Sequence, residues 1–184
     1  FNKTHAFMPH RHRMKSSRTR DREWTLKQFF RASASGKRAT LNYSIKKGGL
    51  SLETSDGSGH TAFHIGAARG QIKTIKWAVH TLSVSDDDQH VIDRLDLSGK
   101  TALMYAAGKG HLQCVRALMY GGASADVEDS ETGQIAYDYA KEYGHEDVVN
   151  FMDRFAAGDS DNDDFEGCET DYVGQSEVVT ETEG

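Results

Sequence analysis

The stretch Gly99-Lys-Thr-Ala-Leu-Met-Tyr-Ala-Ala-Gly-Lys-Gly110 occurs a second time, forty residues earlier, as Gly59-His-Thr-Ala-Phe-His-Ile-Gly-Ala-Ala-Arg-Gly70. A third copy, Gly133-Gln-Ile-Ala-Tyr-Asp-Tyr-Ala-Lys-Glu-Tyr-Gly144, keeps both glycines and the spacing of the alanines. A weaker copy lies upstream and ends at Gly36. The four closing glycines are separated by 34, 40 and 34 residues. Such a fixed period indicates an array of repeated structural units.

Each copy is typical of a short helix followed by a second one. Thr61 and Thr101 can cap the first helix, because a threonine oxygen accepts a hydrogen bond from a backbone N–H of the first turn. Small residues follow, which lets a neighbouring helix approach closely, and the closing glycine supplies the positive φ that ends the helix. The apolar spacing predicts second helices at Ile72–Val79, Leu112–Met119 and Val148–Phe155.

This pattern resembles the ankyrin repeat, and the match is best at residues 99–127, although every copy lacks the family's proline. The resemblance implies an all-α solenoid of helix-turn-helix units with connecting β-turn loops. The first and last units are degenerate, as expected of the ends of a stack that must face water. The predicted units are 24–58, 59–98, 99–132 and 133–157.

The 40-residue spacing between Gly70 and Gly110 is longer than the other two. It places about six extra residues within 83–92, a segment that contains three consecutive aspartates. Insertions in repeat arrays go to loops. The segment is therefore either a solvated loop or an acidic loop that contacts a partner.

The net charge of −6 divides unevenly along the chain. Residues 1–48 carry 13 Lys and Arg against two acids, whereas residues 157–184 carry ten acids and no Lys or Arg. We therefore expect a flexible basic arm at 1–23 and a disordered acidic tail at 158–184. The arm can bind a polyanion such as RNA or an acidic protein surface, serve organelle targeting, fold back on the acidic tail, or only aid solubility.

The residues predict no catalytic, cofactor or metal site. His64, His111 and His145 fall at positions with structural roles in the resembled family, and the acids at 159–164 lack the glycine and the glutamate of a calcium loop. Cys114 lies on an apolar helix face and is expected in the core. The longest run without Asp, Glu, Lys or Arg is twelve residues, too short to cross a membrane. We expect an intracellular, non-enzymatic protein, cytoplasmic or nuclear, with organelle targeting left open.

The resemblance implies a protein-binding module that uses its loop tips and the exposed face of its first helices. The residues at those positions are Arg31, His60, Ile65, Arg69, Lys100, Tyr105, Lys109, Gln134, Tyr139 and Tyr143. An open alternative is that the three tyrosines pack between helices of adjacent units. The predicted function is an adaptor or a structural subunit of a larger assembly. The alternative is a nucleic-acid-associated protein whose basic arm binds while the repeats recruit a partner.

Overall fold

The computed structural model describes residues 17–83 and 89–158. Within these ranges the chain forms eight α-helices, a short 3-10 helix at Gln89–Val91 and no β-strand. The helices are α1 (Ser17–Ser35), α2 (Arg38–Lys46), α3 (Ala62–Ala68), α4 (Ile72–Ser83), α5 (Ala102–Gly108), α6 (Leu112–Tyr120), α7 (Ala136–Glu142) and α8 (Glu146–Ala156). Residues 84–88 of the predicted loop at 83–92, the acids at 159–164 and most of the basic arm lie outside the described residues.

The helices pair in sequence order, and the pairs stack into two layers. The first helix of each pair packs on the first helix of the next, and the second helices form the other layer. The first helices are in closer contact than the second helices. We call the open side of the first-helix layer the concave face. The all-α solenoid predicted from the sequence is confirmed.

Side-chain hydrogen bonds cap the N-termini of the first helices. The Thr101 hydroxyl accepts a hydrogen bond from the Met104 N–H at 3.3 Å, which satisfies one of the unpaired donors of the first turn. In the last unit Ile135 has no polar side chain. There the Asp138 carboxylate accepts a hydrogen bond from the Ile135 N–H at 3.1 Å. A degenerate unit thus keeps half of the capping arrangement.

The closing glycines have the predicted positive φ, with 69° at Gly110. A Cβ atom built on Gly110 would lie 2.5 Å from Nδ1 of His145 in the next unit. Glycine is needed here both for its left-handed backbone and for the close approach of the next unit.

The core follows the small residues of the first helices. Ala67, Ala106 and Ala107 are fully buried, so α3, α5 and α7 can pack backbone to backbone. Cys114 is also buried, as predicted, and burial raises the pKa of its thiol to about 11.

Two boundaries differ from the sequence prediction by four residues or more. Helix α1 begins at Ser17, so residues 17–23 of the predicted arm are helical. Helix α4 extends to Ser83, four residues beyond the predicted end at Val79. In the described part of the chain, no helix combines the length and apolar character needed to span a bilayer.

Candidate protein-interaction face

The turns between successive helix pairs form three fingers, at residues 56–60, 96–100 and 129–134. In the middle finger the Asp96 N–H donates to the Lys100 carbonyl at 2.9 Å, and one Asp96 carboxylate oxygen accepts from the N–H groups of Ser98 and Lys100 at 2.8 and 3.0 Å. Asp56 organises the first finger in the same way, through Ser58 and His60. The carboxylate substitutes for a backbone acceptor and fixes the turn.

The second carboxylate oxygen of each later finger faces the finger before it. Oδ2 of Asp96 lies 3.2 Å from Nε2 of His60, and Oδ2 of Asp129 lies 3.8 Å from Nζ of Lys100. The side chains of Asp96 and Asp129 are fully buried. We call Asp56, Asp96 and Asp129 the carboxylate ladder, because they link the fingers in register.

Two tyrosines of the first helices complete the ladder. The Tyr105 hydroxyl donates to Oδ2 of Asp96 at 2.7 Å, and the Tyr139 hydroxyl donates to Oδ2 of Asp129. Tyr105 is half-buried, whereas Tyr139 is only 6% exposed. The outward placement of Tyr139 is therefore wrong. The alternative of packing between units holds for Tyr139 and in part for Tyr105, because each hydroxyl must reach a buried carboxylate.

The ladder also shifts the protonation of its members. Burial by itself would raise the pKa of Asp96, but the N–H groups of Lys100 and Ser98 and the Tyr105 hydroxyl together hold that pKa below its usual value. Burial and the hydrogen bond to Asp96 raise the pKa of the Tyr105 hydroxyl. A charged Asp96 and a neutral Tyr105 are thus the stable forms at neutral pH.

Three predicted contact residues share one exposed position in successive units of the first-helix layer. Arg69, Lys109 and Tyr143 each precede the closing glycine of their unit, and all three are exposed. Tyr143 is 60% exposed, unlike the two ladder tyrosines. We call these three residues the concave row. Because they hold one position in successive units, they lie side by side across the stack.

An open cleft of about 240 Å³ lies between the last two units beside the concave row. Its walls include Lys100, Tyr105, Lys109, Tyr139 and Tyr143, and its floor includes Gly108. Nζ of Lys100 lies 4.7 Å from the centre of the Tyr139 ring. The cleft therefore offers aromatic surface bordered by positive charge, which suits an aromatic or aliphatic side chain flanked by acids.

The other predicted contact residues divide between exposed and engaged positions. Arg31 is exposed on α1, and Ile65 is half-buried. Nε2 of Gln134 donates to the Glu142 carboxylate at 2.9 Å. The side chains of His60 and Lys100 contact carboxylates of the ladder and are about one-third exposed. Some of the predicted contact residues are therefore exposed, whereas others are held by contacts within the array.

Sequence reasoning missed the carboxylate ladder, although a signal was present. Asp56 and Asp96 each lie five residues before the capping threonine, within Asp-x-Ser-Gly-x-Thr. Among the described residues, no group of three or more His, Cys, Asp or Glu side chains is arranged to hold a metal ion.

Comparison with known families agrees with the stacked helix pairs. Two models described as ankyrin repeats match the chain, one over residues 29–79 and one with three copies over 78–153. This chain belongs to the ankyrin-repeat family. The family identified from the sequence is confirmed, and with it the role of the repeats as a protein-interaction module.

Two plant proteins are similar to this ankyrin-repeat chain. A protein from Oryza sativa subsp. japonica, named "Probable E3 ubiquitin-protein ligase XBOS31", is 34% identical over 89 residues, which cover 48% of this chain and 18% of that protein. An Arabidopsis thaliana protein, named "Putative E3 ubiquitin-protein ligase XBAT31", is 31% identical over 90 residues, covering 49% and 18%. The aligned region is thus less than a fifth of each relative.

Proposed function

We propose that this ankyrin-repeat chain is a non-catalytic adaptor or structural subunit that binds a partner protein through its concave face and finger tips. The observation that carries the proposal is the concave row, in which Arg69, Lys109 and Tyr143 are exposed at one repeated position beside an open aromatic cleft. The carboxylate ladder beneath this row holds the units in register, so the row is presented on a rigid surface.

Tyr143 and Lys109 are the residues expected to contribute most to binding. A tyrosine offers a large contact area with only two side-chain torsions to freeze, and Tyr143 keeps more than half of its surface free. Lys109 lies beside it in the cleft wall. Tyr105 and Tyr139 are poor test sites, because removing either hydroxyl would take one hydrogen bond from a buried carboxylate and destabilise the fold.

The similarity to the two plant relatives supports a binding role for this chain and gives no ground for assigning it their catalytic activity. Their similarity is confined to the repeat region, which is a small part of each protein. What this chain shares with them is a recognition module. We therefore assign it partner recruitment rather than ubiquitin transfer.

The test is a comparison of captured proteins with three full-chain baits. The baits are the natural chain, Lys109→Ala/Tyr143→Ala, and the matched control Lys46→Ala/Tyr43→Ala, which removes the same residue types from α2. Tyr43 is 60% exposed, the same fraction as Tyr143, so the control deletes equal exposed surface. A partner of the concave face is retained by the control and lost from the first variant. Equal loss from both variants, or loss from neither, would refute the proposal.

In a second candidate function, the basic arm binds nucleic acid while the repeats recruit a partner. This function rests on the basic residues before position 49. Its support is the local charge of +11, from 13 Lys and Arg and two acids. Binding through phosphate contacts weakens steeply with salt, because each neutralised phosphate releases counterions. A steep salt dependence that disappears on deletion of residues 1–16 would favour this function. Capture of a protein partner that persists at high salt favours binding through the concave face.

A further inference from the structure

We propose that the acidic segment 159–184 of this chain is itself a ligand of the concave face, where it competes with the partner assigned above. The inference rests on the proposed function only in that both use the same surface. Three observations identify the segment as the ligand of the concave face: its complementary charge, its aromatic residues and the length of chain that follows α8.

Three exposed basic residues line the concave face. Arg31 is exposed on α1, and Arg69 and Lys109 are exposed directly after the ends of α3 and α5, so each of the first three units contributes one. A bound ligand does not contact the carboxylates of Asp96 and Asp129, because both side chains are buried. The exposed acid Glu142 accepts a hydrogen bond from Gln134.

The segment has the complementary composition. Residues 159–184 contain ten Asp and Glu and no Lys or Arg. Phe165 is flanked by Asp163, Asp164 and Glu166. An aromatic ring between carboxylates matches the cleft, where Tyr143 supplies exposed aromatic surface and Lys109 supplies charge.

The segment is long enough to reach the cleft from the end of α8. Phe165 follows Gly158 by seven residues, which extend to at most about 25 Å. Two packed helices such as α7 and α8 lie only about 8–10 Å apart. Because the segment is tethered, its effective concentration at the face is on the order of millimolar. A weak contact therefore suffices to occupy the cleft for much of the time.

The natural cysteines allow a direct test in the full chain. Cys168 lies within the segment, whereas Cys114 is buried with its thiol pKa raised to about 11, so a nitroxide label attaches selectively at Cys168. The measurement is paramagnetic broadening of backbone amides. We expect strong signal loss at Gly108, Lys109 and Tyr143, and little at Lys73 and Gln113 of the second helices. Salt raised from about 0.1 M to about 1 M shortens the screening length from about 10 Å to about 3 Å and should restore the signals.

Two variants fix the location of the contact. Arg69→Glu/Lys109→Glu should abolish the broadening. The charge-matched control Lys46→Glu/Lys73→Glu, on the exposed surface of the second helices, should leave it unchanged. Four results would each overturn the inference: no loss of signal, loss that survives Arg69→Glu/Lys109→Glu, loss abolished equally by the control, or loss confined to residues 21–30. If one of them occurs while Lys109→Ala/Tyr143→Ala still loses its partner, the proposed function stands and only the occupancy by the segment is refuted.

Discussion

Nε2 of His64 lies 3.1 Å from the carbonyl oxygen of Lys100, in the finger of the next unit. A carbonyl oxygen only accepts hydrogen bonds, so Nε2 carries the ring proton and Nδ1 is an acceptor. Nδ1 in turn accepts from the Thr61 N–H at 3.2 Å. One buried ring therefore ties the start of its own helix to the following finger, and it does so in its neutral form.

This bond predicts a loss of stability as the solution becomes mildly acidic. Burial lowers the pKa of His64 in the folded protein, while the unfolded value is about 6.5. The unfolded chain then binds the proton more readily, so the stabilisation is full above about pH 6.5 and is lost as the pH falls toward the folded pKa. His64→Gln should lose less unfolding free energy than the natural protein between about pH 7.5 and about pH 5.5. Denaturant titrations at both pH values measure the difference.

The control for this prediction is His90→Gln, since His90 is exposed on the 3-10 helix. It should keep the pH dependence of the natural protein. If His64→Gln also keeps that dependence in full, the buried neutral ring is not its source.

The carboxylate ladder predicts that Asp96→Asn is strongly destabilising. The amide keeps the size of the side chain but loses the charge that faces His60, and only one of its two atoms can accept the bonds now made by Tyr105 and two N–H groups. We expect a cost of about 1–3 kcal/mol in unfolding free energy. Asp126→Asn, at an exposed position, should stay within about 0.5 kcal/mol. Equal melting curves for the two variants would contradict the structural role of the ladder.

Substitutions at two closing glycines distinguish the cost of backbone strain from the cost of steric crowding. Gly110 and Gly144 both have positive φ, 69° and 73°, so alanine at either is expected to cost about 1–2 kcal/mol. No atom lies within 4 Å of a Cβ on Gly144, whereas a Cβ on Gly110 meets the His145 ring. That ring cannot move away freely, because its Nε2 bonds the Gly108 carbonyl at 3.2 Å. Gly110→Ala should therefore destabilise by about 1 kcal/mol more than Gly144→Ala, the worth of that hydrogen bond. Equal costs by chemical denaturation would show that crowding is not felt.

Much of the fold is readable from the sequence because each unit repeats its own local determinants. The capping threonines, the small residues after them and the closing glycines act within about ten residues, so their spacing predicts helix pairs and their stacking. The exposure of Arg69 and Lys109 follows from the same position in each unit. Tyr143 shares that position and is exposed as well.

What the sequence did not reveal depends on contacts between units. Tyr139 has the same offset from its closing glycine as Arg31, which is exposed, yet it is buried because Asp129, at the end of the preceding unit, lies within reach of its hydroxyl. The start of α1 was also missed. Residues 17–23 carry an alternation of charge rather than the apolar period that marks the other helices, so composition favoured an arm.

The most direct test of the central claim is the dissociation constant of a captured partner for three purified full-length chains, measured by calorimetry. For Lys109→Ala/Tyr143→Ala we predict binding at least about tenfold weaker than for the natural chain, about 1.4 kcal/mol, because the exposed aromatic anchor and its neighbouring charge are gone. For Lys46→Ala/Tyr43→Ala we predict an unchanged constant. Equal affinity of all three chains, or weaker binding by the Lys46→Ala/Tyr43→Ala chain alone, would contradict recognition through the concave face.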